Sequence, residues 1–402
     1  MTFRLASVTL PEQGQVDIDV DGRLVAAITP AGTTPCIGDS FNLHGHVLSS
    51  SFAEPHAHLD KAFLADRVQN PTGDLLGAIQ GLEAVRDTIT FDDIVNRAVT
   101  AAQLMSRNGV TSIRTHADTT INAGLTSVLA LLEAKRLCSS FIDIQVAMLL
   151  GWPVTGIQGA ESRALARDAI DAGVDVVGGC PHLDPNPHEA VEYFLHLALD
   201  NTLPLDLHAD ENLRETSDDL EYLADLMLAG NIRHQASASH CVSLSVQGES
   251  GIQRTAEKVA RAGITVTALP HTNLYLQGRG ITSSVPRAIT PVDALRRAGV
   301  VVAAGADNVQ DPFNLMGRAD PLETASLMVM AAHQSPQDAL NMVTSAATQV
   351  VHGDASHVRV GEVANLVAIP ASNVRGAIAM GPPDRFVVYG GVVISDQKRN
   401  IK

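Results

Sequence analysis

Between about residue 50 and residue 350 the chain repeats one pattern, a short β-branched apolar run followed by a helical stretch. Eight such runs are read, at 47–53, 110–115, 142–150, 174–177, 203–207, 231–237, 264–268 and 300–304. Segments such as VDVV and GVVVAAG are apolar at both parities, as strands covered on both faces require. The stretches between them carry helix signals. Thr90 and Asp93 form a capping box and Gly109 follows that helix; Pro187, Thr216 and Pro291 mark other starts; Gly173, Gly230, Gly263 and Gly299 mark ends. Eight strand–helix units predict a (β/α)8 TIM barrel over residues 49–357. An open doubly wound sheet has no support from a GxGxxG turn. The flanks, 1–48 and 358–402, read as short strands and turns. They are expected to form one small β-sandwich domain built from both termini, or else two separate decorations of the barrel. Gly278–Pro291 reads as a long mobile loop above the seventh strand, where loops often close over substrate.

Composition narrows the partners. The net charge is −16, with no Lys/Arg block, so nucleic acid and anionic membrane surfaces are excluded as partners. With 45% hydrophobic and 18% charged residues the chain is globular rather than disordered. No apolar run approaches the roughly 18–20 residues that span a bilayer, and the N-terminal stretch lacks the pattern of a signal peptide. Cys36, Cys138, Cys180 and Cys241 are scattered without a CxxC pair, as free thiols of a cytoplasmic protein would be.

Barrel active sites form at the C-terminal ends of the strands. Those ends carry Glu54-Pro-His56-Ala-His58, Arg114-Thr-His116-Ala-Asp118, Pro181-His182, His208-Ala-Asp-Glu211, Ser239-His240, Pro270-His271-Thr-Asn273 and Asp307-Asn308. A single histidine at a strand end is usually structural. Recurrence at strand after strand is different. His-x-His puts two imidazoles on one side of an extended chain. With a third nitrogen from the fifth strand and a carboxylate from the eighth, they would surround one divalent ion and leave room for water. Such an ion lowers the pKa of a water toward neutrality. Glu211 is placed to carry a proton.

The stretches EPHAHLDKAF, RTHAD, HADEN, SASHC, NLYLQGR and GADNVQDPF, with VGEVANLVAI near the C-terminus, keep their order along nearly the whole chain. In these the chain resembles the amidohydrolase superfamily, and within it the bacterial cytosine deaminase and N-isopropylammelide isopropylaminohydrolase group. The resemblance implies that His56, His58, His208 and Asp307 are metal ligands. It implies that Glu211 protonates the ring nitrogen, that His240 orients the attacking hydroxide, and that Asp307 passes its proton to the leaving amine. Two-metal members of the superfamily commonly bridge their ions with a lysine on the fourth strand. None stands in VDVVGGCPHLDP, which implies one divalent ion per chain, zinc or ferrous iron.

Two positions depart from cytosine deaminases. Leu149 or Leu150 stands near the place of a glutamine that reads the pyrimidine amide edge, and Asn308 replaces a second aspartate. Gln277, Asn308, His182 and Trp152 are the expected substrate contacts, with Trp152 either stacking on a flat ring or packing the rim. The reading is a metal-dependent deaminase of a small pyrimidine- or triazine-like heterocycle, and a homo-oligomer by analogy with relatives. Its rivals are ring opening of a cyclic amide or lactam in the same cavity, and a non-catalytic scaffold.

Overall fold

The computed structural model describes residues 2–395 except Glu12 and Ile37, so the last part of the C-terminal flank, 396–402, lies outside the described residues. Five strands come first: β1 (Thr2–Leu10), β2 (Gly14–Asp21), β3 (Leu24–Pro30), β4 (Asp39–Asn42) and β5 (His46–Ser50). The barrel strands follow: β6 (Phe52–Ala57), β7 (Val110–Thr119), β8 (Asp143–Leu150), β9 (Val177–Gly179), β10 (Leu205–Ala209), β11 (Ala236–His240), β12 (Thr265–Ala268) and β13 (Val302–Ala304). Three strands close the chain: β14 (Leu366–Pro370), β15 (Phe386–Tyr389) and β16 (Val392–Ser395).

Strands β6 to β13 pair in sequence order, all parallel, with helices between them. The ring is closed at its upper edge. His58 N–H donates to the Asp307 carbonyl (3.1 Å), and Asp307 N–H donates to the His56 carbonyl (3.1 Å). The buried Glu54 carboxylate adds a clip, accepting from Ala306 N–H at 3.0 and 3.1 Å. The (β/α)8 expectation therefore holds. Thr90 caps the helix Phe91–Arg107 by accepting from Asp93 N–H. Gly173 and Gly263 end their helices in the left-handed conformation, but after the helix Asp219–Ala229 it is Asn231, not Gly230, that adopts it.

Several strands lie later than the apolar runs suggest. The run at 231–237 gives a strand at Ala236–His240, and that at 174–177 gives Val177–Gly179. The barrel interior at its catalytic end is lined by His, Ser and Asp. Pairing continues there after the apolar signal has stopped. The run at 47–53 is split, with β5 joining the terminal sheet and β6 opening the barrel.

The terminal strands form one mixed sheet in the order β16-β15-β14-β5-β1-β2-β3, with β4 beside β1. In β14 both parities are apolar because both faces are covered. Leu366 and Ala368 pack with Leu5, Ile18 and Leu48, while Val367 and Ile369 join the barrel's core.

Low in the barrel, Arg114 is fully buried. It donates to Asp206 (2.8 Å), Ser237 (3.1 Å) and the carbonyls of Val350 (2.9 Å) and Val351 (3.0 Å). Arg114→Leu leaves the Asp206 carboxylate buried without its counter-charge. We expect a loss of about 3–5 kcal/mol of stability. Denaturant titration checks it, and an unchanged midpoint would contradict the role of the pair.

Candidate active site

Each site residue sits where a strand stops. His56 belongs to β6, His208 to β10 and His240 to β11. Asp210, His240, Cys241 and Asp307 take positive φ values of 55°, 65°, 49° and 65°. Left-handed backbone outside glycine costs about 1–3 kcal/mol per residue and is retained where surroundings impose it. Here it turns the strand ends over the barrel mouth. Asp210 holds its turn by accepting from Ser217 Oγ, Asp219 N–H and Leu220 N–H, which fixes the backbone next to Glu211.

The imidazoles of His56, His58 and His208 and the carboxylate of Asp307 converge. His56 Nε2 lies 3.1 Å from His208 Nε2, which lies 3.2 Å from His58 Nε2. Asp307 Oδ1 is 3.2 Å from His58 Nε2 and 3.6 Å from His56 Nε2. A tetrahedral ion with bonds of about 2.0–2.1 Å has ligand–ligand edges of about 3.3–3.4 Å, so these spacings match four donors around one divalent cation. Both Asp307 oxygens lack a hydrogen-bond partner although they are buried. Burial, then the neighbouring imidazoles, holds His56 and His208 well below the usual histidine range, so both are neutral with lone pairs free to ligate. The residues present therefore fit a divalent metal ion. A second grouping, His56 with His116 and His208, shares two of the same rings, and both ring nitrogens of His116 are buried without partners.

Glu211 and His240 stand beside these donors. Burial, and secondarily Asp307, raises the Glu211 carboxyl well above the usual range. Burial lowers His240 to about 4, against the opposing pull of Asp307. His240 Nε2 lies 4.0 Å from Asp307 Oδ2, and His240 Nδ1 lies 3.6 Å from Glu211 Oε1.

A cavity of about 360 Å³ opens above, reached by His58, His208, Glu211, His240 and Asp307. Its walls are mostly apolar. Leu75, Ile79 and Leu82 come from one helix, Leu149, Leu150 and Trp152 from the end of β8 and the turn after it, and Phe313 from beyond β13. Trp152 lines the cavity with 38% of its surface exposed. Asn308 also lines it, held between Thr272 Oγ1 (2.8 Å) and Asp311 (2.8 Å).

Two residues expected to touch substrate are not among those lining the cavity. His182 is buried with Nδ1 3.0 Å from the His208 carbonyl, and Gln277 donates to the Glu211 carbonyl at 3.3 Å. One is engaged by a backbone carbonyl of β10 and the other by one in the turn that follows it. Lys61 does line the cavity, bound to Asp118 at 2.6 Å, and Asp118 is bound in turn by Arg86 at 2.8 Å. Sequence reasoning gave no role to Glu54, Thr272 or Asn273. For Glu54 a signal was present, since residues 54, 56 and 58 share one parity of an extended chain.

The comparisons with known proteins agree with this architecture. A pterin deaminase of Rhizobium rhizogenes is 30% identical over 388 residues, covering 94% of this chain and 88% of its own. An N-isopropylammelide isopropyl amidohydrolase of Pseudomonas sp. is 23% identical, covering 95% of this chain and 94% of its own. The crystal structure of 5-methylcytosine deaminase from Klebsiella pneumoniae with 5-fluorocytosine superposes with a TM-score of 0.89 at 26% identity, covering 100% of this chain and 98% of its own. The model of the amidohydrolase family matches residues 64–395. By its barrel, by its converging histidines and by this match over most of its length, the chain belongs to the amidohydrolase family.

Proposed function

We propose that this protein is a hydrolytic deaminase of amino-substituted nitrogen heterocycles, with flat six-membered or fused rings of the pterin, pyrimidine or triazine type as substrates. The observation that carries this reading is the convergence of His56, His58, His208 and Asp307 at the base of a mostly apolar cavity, with Glu211 and His240 adjoining. Those four residues would hold one zinc or ferrous ion per chain. When bound, the ion supplies a water acidic enough to ionise near neutral pH.

The chain's own groups supply the rest. Leu149, Trp152 and the Leu75–Leu82 helix face exclude water and pack against the ring. Glu211, kept protonated by burial, gives its proton to the ring nitrogen beside the reacting carbon. His240 offers a hydrogen bond to the attacking oxygen. Asp307 accepts that oxygen's proton and passes it to the departing amine. Residues 1–48 with 358–402 serve in this reading as a small domain beside the catalytic barrel, 49–357. No described helix is long and apolar enough to cross a membrane, and all four cysteines are free. We assign the protein to the cytoplasm on the strength of those thiols.

A panel of aminopterins, aminopyrimidines and amino- or alkylaminotriazines, supplied with Zn(II) or Fe(II) and scored for ammonia or amine release, tests the reading. Release from at least one class is expected. Ring opening without ammonia would favour lactam hydrolysis, and no turnover with any of them would overturn the assignment.

A further inference from the structure

The short helix Pro270–Leu276 follows β12 and bears no predicted ligand, yet it reaches three other strand ends. Thr272 holds Asn308, Asn273 contacts His240, and Gln277 just past the helix holds the Glu211 carbonyl. The contact of Asn273 has a chemical consequence. Asn273 is wholly buried, and its side-chain Nδ2 lies 2.9 Å from His240 Nδ1. An amide nitrogen only donates, so His240 Nδ1 must accept, and a neutral imidazole that accepts at Nδ1 carries its hydrogen at Nε2. The reverse amide orientation would bury an unpaired NH2 in place of the single carbonyl oxygen now without a partner, and unpaired N–H groups are the rarer of the two in protein interiors. His240 Nε2 is buried, has no partner, and lies 4.0 Å from Asp307 Oδ2. The Glu211 carboxyl lies 3.6 Å from Nδ1, beyond hydrogen-bond reach. The His240 backbone is fixed too, since Thr290 Oγ1 donates to its carbonyl at 2.5 Å.

We propose that Asn273 is a positioning residue that fixes His240 in the Nε2–H tautomer, so that His240 meets the attacking oxygen as a hydrogen-bond donor. The assignment rests on the deaminase reading for its purpose, but the tautomer itself is a property of the folded chain. In the opposite tautomer Nε2 would present a lone pair to the Asp307 carboxylate and to the oxygen, and two acceptors would face each other. An acceptor at position 273 would enforce that arrangement, because it demands a hydrogen on Nδ1.

Long-range 15N–1H correlation spectra of the 15N-labelled, zinc-loaded full chain read the tautomer directly, with the His240 signals assigned by their loss in His240→Asn. The Nε2–H pattern is expected in the unmodified protein. Asn273→Asp is expected to move the hydrogen to Nδ1. With a substrate from the panel above, it lowers kcat about 10²-fold while KM and zinc content stay unchanged. A purely structural role would not exchange the two nitrogen signals. If Asn273→Asp does not fold, Asn273→Ala replaces it, with a mixture of tautomers expected. An Nδ1–H pattern in the unmodified protein, or a folded variant that keeps both the original pattern and kcat, overturns the proposal. The spectrum is independent of turnover, so an inactive panel would count against the function and leave the tautomer decided.

Discussion

Glu211→Gln is expected to bind its metal ion and lose turnover, with kcat reduced by about 10²–10⁴-fold. The two side chains have nearly the same shape, and the native carboxyl is buried and held toward its neutral form, so the substitution changes little in packing. What it removes is the ability to give a proton to the ring and take one back. Glu211 is absent from the four converging donors, so metal content stays at the level of the unmodified protein. It lines the cavity with the other reacting groups, so the loss appears in kcat and in kcat/KM alike, with KM little altered. Steady-state kinetics with elemental analysis on the same preparation decides it. Full activity would remove Glu211 from the reaction, and lost metal would make it a ligand.

His208→Ala is expected to abolish both activity and firm metal binding. His208 Nε2 lies within 3.1–3.2 Å of both His56 Nε2 and His58 Nε2, so its removal opens one corner of the donor set while His56 and His58 stay at the end of β6 and Asp307 stays beyond β13. Altering a group that only supports a ligand typically costs 10–100-fold in affinity or activity, and losing a donor outright exceeds that. The unmodified protein is expected to carry about one ion per chain after dialysis, and its melting temperature to rise with added metal. In His208→Ala that rise disappears. The four donors fit one cation, and nothing in VDVVGGCPHLDP supplies a bridging lysine. Two firmly bound ions per chain would refute the mononuclear reading.

Much of this was legible in the chain itself. Alternating apolar runs and capped helices specify a parallel barrel, because helical crossovers bury both faces of each strand. The catalytic end of such a barrel is known in advance, so His56, His58, His208, Glu211, His240 and Asp307 could be assigned to one rim from sequence alone. What stayed hidden were strand limits where polar side chains replace the apolar signal, as in ASASH. Contacts set by how distant elements pack were hidden as well. Asn273 meets His240 across 33 residues, and Arg114 meets Asp206 across 92. For His182 and Gln277 the residue type and the strand end were legible, but not that each meets a backbone carbonyl, of His208 and of Glu211. Periodicity states which end of a strand a side chain occupies. Its rotamer and its partner are decided by the neighbouring strands and helices, and these meet only in the closed barrel.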